Sequence, residues 1–290
     1  MKQPVFKGLA TALVTPFTAD GALDTQTLER LIEHQIANGA DALVICGTTG
    51  EAATMTQAEQ LSAISCAVKH AEGRCKIIAG TGSNSTAHAL EMSRLAAAIG
   101  VDAVLVVTPY YNKCTQSGLI AHYTTIADAI PVPVIAYNVP SRTGVNISVE
   151  TYCELAKHPN VNGVKEAAGG IAKIARTIHA CGDEFFIWSG NDDEAVPALS
   201  VGAVGLISVL ANVRPAQTAD LVKSALRGDF ARAGRLQVEL MELIDVLFCE
   251  VNPIPVKEAM RMLGMDAGLP RLPLTRLTDA NRARLQKLLG

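Results

Sequence analysis

The sequence predicts an α/β fold, a (β/α)8 barrel of the TIM type followed by a C-terminal helical appendage. Three observations predict it. Apolar, β-like runs recur eight times, at 9–14, 42–46, 76–79, 103–107, 132–137, 162–165, 185–189 and 204–209. Their apolar character is nearly continuous, as in parallel strands buried on both faces. Helix-like segments lie between them, and the chain's 290 residues accommodate the ~250 that one such barrel typically needs.

The elements follow in strand–helix order. After the first run, Asp24 is an N-cap type before a helix over 25–38, which exits at Asn38-Gly39. The second run leads to a helix over 57–71. The third is followed by Ser85 and a helix over 85–99 that exits at Ile99-Gly100. A helix over 117–129 follows the fourth run, and one over 215–227, closing at Arg227-Gly228, follows the last. Strand, crossover helix and strand, repeated eight times, close into a barrel more readily than they stay an open sheet. Residues 1–228 therefore read as the catalytic barrel. Residues 229–290 hold about three more helices, two of them bracketed by Pro253, Pro255, Pro270 and Pro273, and no strand.

Composition narrows the function. Hydrophobic residues make up 49% and charged residues 18%, which suits a well-buried enzyme and excludes disorder. A net charge of -3 leaves no basic footprint for nucleic acid and no polybasic membrane anchor. No apolar run approaches ~20 residues and no signal-peptide core opens the chain, so a cytoplasmic protein is expected. The 7 cysteines form no CxxC pair and read as reduced thiols, and the 6 histidines form no HExxH cluster. Neither a disulfide nor a metal is expected.

Chemistry in such barrels gathers where strands end. The sixth run ends in Val164-Lys165-Glu166 and the fifth in Ala136-Tyr137-Asn138. A lysine amine attacks carbonyls only when unprotonated, and an apolar pocket favours that form. Alone, Lys165 reads as a snorkelling surface lysine; its company changes the reading. The second run opens into Gly47-Thr48-Thr49-Gly50-Glu51, where the glycines free the backbone to cradle an anion beside two hydroxyls. The fourth opens into Thr108-Pro109-Tyr110-Tyr111-Asn112, the seventh into Ser189-Gly190-Asn191-Asp192-Asp193 and the eighth into Ile207-Ser208. Tyrosine and threonine hydroxyls around one lysine can pass the protons that imine chemistry requires.

In this order and spacing, several motifs resemble the dihydrodipicolinate synthase / N-acetylneuraminate lyase family. They are Thr15-Pro16-Phe17, the 47–51 loop, Gly80-Thr81-Gly82-Ser83-Asn84, Pro109-Tyr110-Tyr111, the 137–144 run through Arg142, Lys165, and Asn252-Pro253-Ile254-Pro255-Val256-Lys257. The resemblance implies a class I aldolase-type lyase in which Lys165 forms an imine with pyruvate and no cofactor is needed. It implies that Thr48 and Thr49 bind the pyruvate carboxylate and that Gly190 and Ile207 line its pocket. Tyr137, Thr48 and Tyr111 would relay protons, with Tyr111 entering from a neighbouring subunit of a homotetramer built from tight dimers. Arg142 would hold the carboxylate of aspartate-4-semialdehyde, a cation that a sugar-acid aldolase does not need. A non-catalytic barrel would lack the lysine, the tyrosines or the threonines. A phosphate-binding barrel predicts a glycine-rich loop after strands 7 and 8, of which Gly202, Gly205 and Asn212 are a faint version.

Members of the family inhibited by lysine resemble one another in an effector pocket, which would fall here at Ala53, Gln57, Gln60, Asn84, His88 and Tyr110. Position 88 holds a carboxylate in those enzymes and a histidine here. Glu91, three residues on, is the nearest substitute along a helix. Cys46 and Cys114, beside catalytic motifs, read as small semi-buried fillers.

Overall fold

A computed structural model describes residues 2–290. The eight strands are β1 (Gly8–Ala12), β2 (Ala42–Ile45), β3 (Lys76–Gly80), β4 (Ala103–Val107), β5 (Val134–Asn138), β6 (Val161–Glu166), β7 (Phe186–Ser189) and β8 (Gly205–Ser208). They pair in parallel, each with the next, and β8 closes on β1 into a barrel. All eight expected runs are strands. The first is shorter than expected, because the Val14 amide donates to Asn212 Oδ1 at 3.2 Å and so leaves the ladder.

Helices α1 (Thr25–Ala37), α2 (Gln57–Ala71), α3 (Thr86–Ile99), α4 (Gln116–Asp128), α5 (Pro140–Thr143), α6 (Val149–Ala156), α7 (Ile171–Cys181), α8 (Ala195–Ser200) and α9 (Pro215–Leu226) lie between the strands or follow the last. The expected caps are in place. Asp24 Oδ1 accepts the Thr27 amide at 2.9 Å, and Ser85 Oγ accepts the His88 amide at 3.4 Å. Thr56 and Glu59 add a reciprocal capping box at the start of α2.

The barrel interior is a small core of its own. Ala10, Ala12, Ala42, Val44, Ile78, Ala103, Leu105, Ile135 and Ile207 fill it, with Tyr137 near the top. Trp188, fully buried, stacks on Phe6 with ring centroids 5.2 Å apart and donates its indole N–H to the Phe6 carbonyl. Alanines at alternate layers leave room for these aromatics, so the barrel is packed and any site must lie at its mouth.

The C-terminal region contributes α10 (Phe230–Leu247), α11 (Ile254–Met262) and α12 (Asp279–Leu289). Leu240, Ile244, Leu247, Val256, Met260 and Leu285 belong to the same apolar core as Leu9 and Ile32, so this region packs as part of the barrel's outer layer. It also returns over the strand ends. Lys257 Nζ lies 2.6 Å from Glu51 Oε1, and each side chain is 1% exposed. Glu51 Oε2 accepts the Arg271 amide at 2.8 Å, and the Arg271 guanidinium pairs with Glu59. The Lys257 ammonium and the Arg271 guanidinium both lie against the Phe17 ring, at 4.4 and 4.1 Å from its centroid. Burial pulls the Lys257 ammonium below the usual lysine range, and Glu51 opposes that.

Removing one partner of a buried ion pair strands the other charge, a loss of about 3–5 kcal/mol. Lys257→Met should therefore destabilise the protein by about that much in urea denaturation. Adding Glu51→Gln should recover part of the loss, since the uncompensated charge goes with it. Simple additivity of the two losses would mean that the pair carries no coupling.

Candidate active site

Lys165 and Glu166 show how the strand period builds the site. Successive side chains on a strand face opposite ways. Lys165 is 5% exposed and points to the barrel axis, its Nζ 4.5 Å from the Tyr137 ring centroid. Tyr137 stands opposite it in register on β5. Glu166 points outward, where Asn138 Nδ2 and the Tyr152 hydroxyl donate to its two oxygens at 2.8 and 2.7 Å, and Lys173 pairs with it at 3.0 Å. Among the described residues, no carboxylate comes within ion-pair distance of Lys165.

Gly190, at the end of β7, leaves space for the lysine. A Cβ there would stand 2.9 Å from Lys165 Cε and 2.8 Å from Ala167 Cβ, too close for any side chain. The Gly190 amide donates to the Glu166 carbonyl at 2.7 Å and ties the β7 end to the β6 end. Two residues on, Asp192 is buried. Its carboxylate accepts the Ser208 hydroxyl at 2.5 Å and the Val209 and Leu210 amides at 3.0 Å. Burial pushes its carboxyl up, while those three donors and the nearby charge of Lys165 pull the other way. Nothing in the sequence alone marks Asp192. Its signal was an acidic pair at a strand end, which is common on solvated loops and singles out neither residue. Ile207, on β8, is fully buried inside the barrel.

The threonine loop departs from its expected mechanics. Neither Gly47 nor Gly50 has a left-handed backbone; the residues that do are Cys46 and Glu51, both at φ 55. At Gly50 packing favours glycine instead, since a Cβ there would lie a tight 3.1 Å from the Leu13 carbonyl and 3.2 Å from Thr15 Oγ1. Left-handed geometry at a non-glycine residue is uncommon and disfavoured. At Glu51 the grip of Lys257 and the Arg271 amide on the side chain offsets it. Thr48 is half-buried and Thr49 buried, and Thr49 Oγ1 accepts a hydrogen bond from Asn252 Nδ2 at 2.9 Å. Arg142, exposed on the short α5, donates through Nη2 to the Asn252 carbonyl at 3.4 Å. Thr49 and Arg142, from different strand ends, thus share one neighbour.

Tyr111 does not join this cluster within its own chain. It is 91% exposed, with φ 70, on the loop after β4, and no hydrogen bond links its hydroxyl to Tyr137 or Thr48. Tyr110 beside it is 39% exposed. At the six effector positions, Ala53 and His88 are exposed, and Gln60 spends its amide on the Ala52 and Met55 carbonyls. The Asn84 carbonyl accepts from Asn112 at 3.0 Å. Gln57 Nε2 donates to Glu91 Oε1 at 3.4 Å, which brings that carboxylate beside these positions. Cys46 is buried and its thiol pushed up to about 12, while partial burial also raises Cys114. Among the described residues, no group of three or more His, Cys, Asp or Glu could hold a metal ion, and no helix is long and apolar enough to cross a membrane.

A buried lysine over a tyrosine, a two-threonine loop and an arginine at the same barrel mouth coincide with a family match over residues 5–290, to the dihydrodipicolinate synthetase family. The chain belongs to that family. It is 52% identical over 288 residues to the 4-hydroxy-tetrahydrodipicolinate synthase of Thermoanaerobacter pseudethanolicus, covering 99% of this chain and 97% of that one. Among solved structures it is similar to the chloride-inhibited dihydrodipicolinate synthase of Acinetobacter baumannii complexed with pyruvate. That likeness has 42% identity and a TM-score of 0.96, and covers 98% of this chain and 97% of that one. It is also similar to the family member of Cyanidioschyzon merolae solved with lysine bound, at 38% identity and a TM-score of 0.96, covering 99% and 98% of the two chains.

Proposed function

We propose that this chain condenses pyruvate with L-aspartate-4-semialdehyde to give 4-hydroxy-tetrahydrodipicolinate, the first committed step of lysine and diaminopimelate biosynthesis. The observation that carries this reading is Lys165, buried at the mouth of the barrel against Tyr137 and free of any ion-pair partner among the described residues. Full-length likeness to relatives named for this reaction supports it. The Lys165 amine attacks the keto carbon of pyruvate, and loss of water leaves an imine. Proton loss from the pyruvate methyl then gives an enamine, which attacks the aldehyde carbon. The covalent imine takes the role of electron sink, so the reading requires no cofactor.

Thr48 and Thr49 receive the pyruvate carboxylate, Gly190 and Ile207 line its pocket, and Arg142 grips the carboxylate of the aldehyde substrate. A guanidinium offers two parallel hydrogen bonds to such a group. Tyr137 and Thr48 move protons with Tyr111 from a neighbouring subunit. A large side chain, 91% exposed on a left-handed backbone, gains nothing within its own chain from that geometry, which supports a role outside it. The corresponding assembly is a homotetramer of tight dimers in the cytoplasm.

Lys165→Ala should abolish the pyruvate adduct that borohydride traps, read by intact mass, together with nearly all turnover. A trapped adduct mapped to Lys113 or Lys257 would overturn the assignment. If Tyr111 serves a neighbour, mixing Tyr111→Phe and Lys165→Ala proteins under subunit exchange should restore part of the activity; no recovery with exchange verified would place Tyr111 in its own site. Arg142→Ala should raise KM for the semialdehyde roughly ten- to a hundredfold, the size of one charge-assisted contact, and leave KM for pyruvate nearly unchanged. Equal rises would make Arg142 structural. The effector site reads as poor, because the ammonium of a bound lysine needs an anion and His88 stands where inhibited members have one. L-lysine should inhibit weakly or not at all at low millimolar concentration, by calorimetry and rate assay. Sub-millimolar inhibition that disappears in Glu91→Ala would show Glu91 supplying the charge instead.

A further inference from the structure

Asn252 sits in the turn between α10 and α11, far from the barrel strands in sequence, yet it is 5% exposed and touches both substrate-facing groups of the mouth. Its side-chain Nδ2 donates to Thr49 Oγ1 at 2.9 Å, and its backbone carbonyl accepts from Arg142 Nη2 at 3.4 Å. The remaining amide atom, Oδ1, is buried and has no hydrogen-bond partner among the described residues. The turn cannot drift, because Lys257 on α11 is locked to Glu51, two residues beyond Thr49. The loop and the C-terminal region are thus cross-linked at both Thr49 and Glu51.

The polarity of the first bond matters. A threonine hydroxyl carries one proton and two acceptor sites, and its rotor turns to suit its neighbours. With an amide N–H donating to Oγ1, the hydroxyl proton is turned away from Asn252, and no described residue takes it. It is left to donate to an anion at the barrel mouth. Without the amide, the rotor is free, and ordering it would oppose anion binding.

We propose that Asn252 is a positioning residue of this site, which sets the Thr49 hydroxyl as a donor toward the pyruvate carboxylate and carries Arg142 on its carbonyl. The inference rests on the reading of the site as a pyruvate-imine enzyme. In consequence the C-terminal region is part of the catalytic apparatus, and removing it would disarm Thr49 even with the strands intact.

The test is steady-state kinetics with borohydride trapping on the full chain. Asn252→Ala should raise KM for pyruvate about tenfold, the worth of one hydrogen bond. It should change kcat far less, and Lys165 should still be trapped at saturating pyruvate. Asn252→Asp keeps the shape but offers only an acceptor, so it would draw the Thr49 proton to itself and should raise KM for pyruvate more than alanine does. In a Thr49→Val background, Asn252→Ala should add almost nothing to KM for pyruvate. Should alanine fold poorly, as judged by Tm, Asn252→Ser serves in its place in the same cycle. An unchanged KM for pyruvate, or the same fold-rise with and without Thr49, would overturn the inference, as would an aspartate variant as good as wild type. Absence of any trapped adduct in the wild-type protein would instead sink the underlying reading, so the two failures are distinguishable.

Discussion

The contact between Glu51 and Lys257 governs how the barrel mouth is arranged. Glu51 follows the threonine loop directly and stands in a left-handed conformation that its side chain does not favour by itself. A 2.6 Å contact to a lysine equally buried, and a second bond from the Arg271 amide, hold it there. Burying two charges is expensive, and such a pair adds little net stability over an apolar replacement. Its contribution is definition. It fixes the loop's exit and joins it to α11, so that Asn252 meets Thr49 and Arg142 from the far end of the chain.

The lysine at the centre is prepared by exclusion. Two buried carboxylates flank it, Glu166 next along β6 and Asp192 after β7. Either could have been its counter-ion, and a direct pair would have occupied the amine. Instead their oxygens are occupied elsewhere. Asn138, Tyr152, Lys173 and the Ala168 amide take Glu166, while Ser208 and the Val209 and Leu210 amides take Asp192. The period of two along β6 accomplishes the first separation, and the chain's path from β7 to β8 the second. Neither carboxyl group contacts the amine, and the Lys165 charge reaches Asp192 only through space.

This explains which parts of the molecule were legible from residues alone. Strands buried on both faces are continuous apolar runs, so all eight could be read. Lys165, Tyr137 and the threonines stand out as candidates because strand ends and a glycine-bounded loop are local signals. The loop's mechanics could not, since whether Gly50 serves a turn or a tight contact depends on Leu13 and Thr15, which come from another strand end. Asp192 was missed for the same reason: its donors lie on the β8 side, and no local pattern announces them. Asn252 was visible only as part of a familiar motif, because its partners are some two hundred residues earlier, at Thr49, and on α5. The C-terminal helices read as an appendage because they add no strand, whereas their packing and their polar contacts are those of the barrel's own layer.

What one chain leaves unfinished is equally physical. Tyr137 and Thr48 both stand at the mouth, but no hydrogen bond joins them, and Tyr111 projects from the loop after β4 into the open. A proton relay is only as good as its weakest spacing, since transfer requires donors and acceptors within hydrogen-bond reach. Strain at an exposed tyrosine is retained where something outside the chain repays it. A second copy seated on that loop would bury Tyr110 and Tyr111 together and bring a third hydroxyl to the neighbouring mouth. On the proposed reading the barrel would supply the nucleophile and the binding groups, the C-terminal region would aim them, and assembly would complete the path for protons.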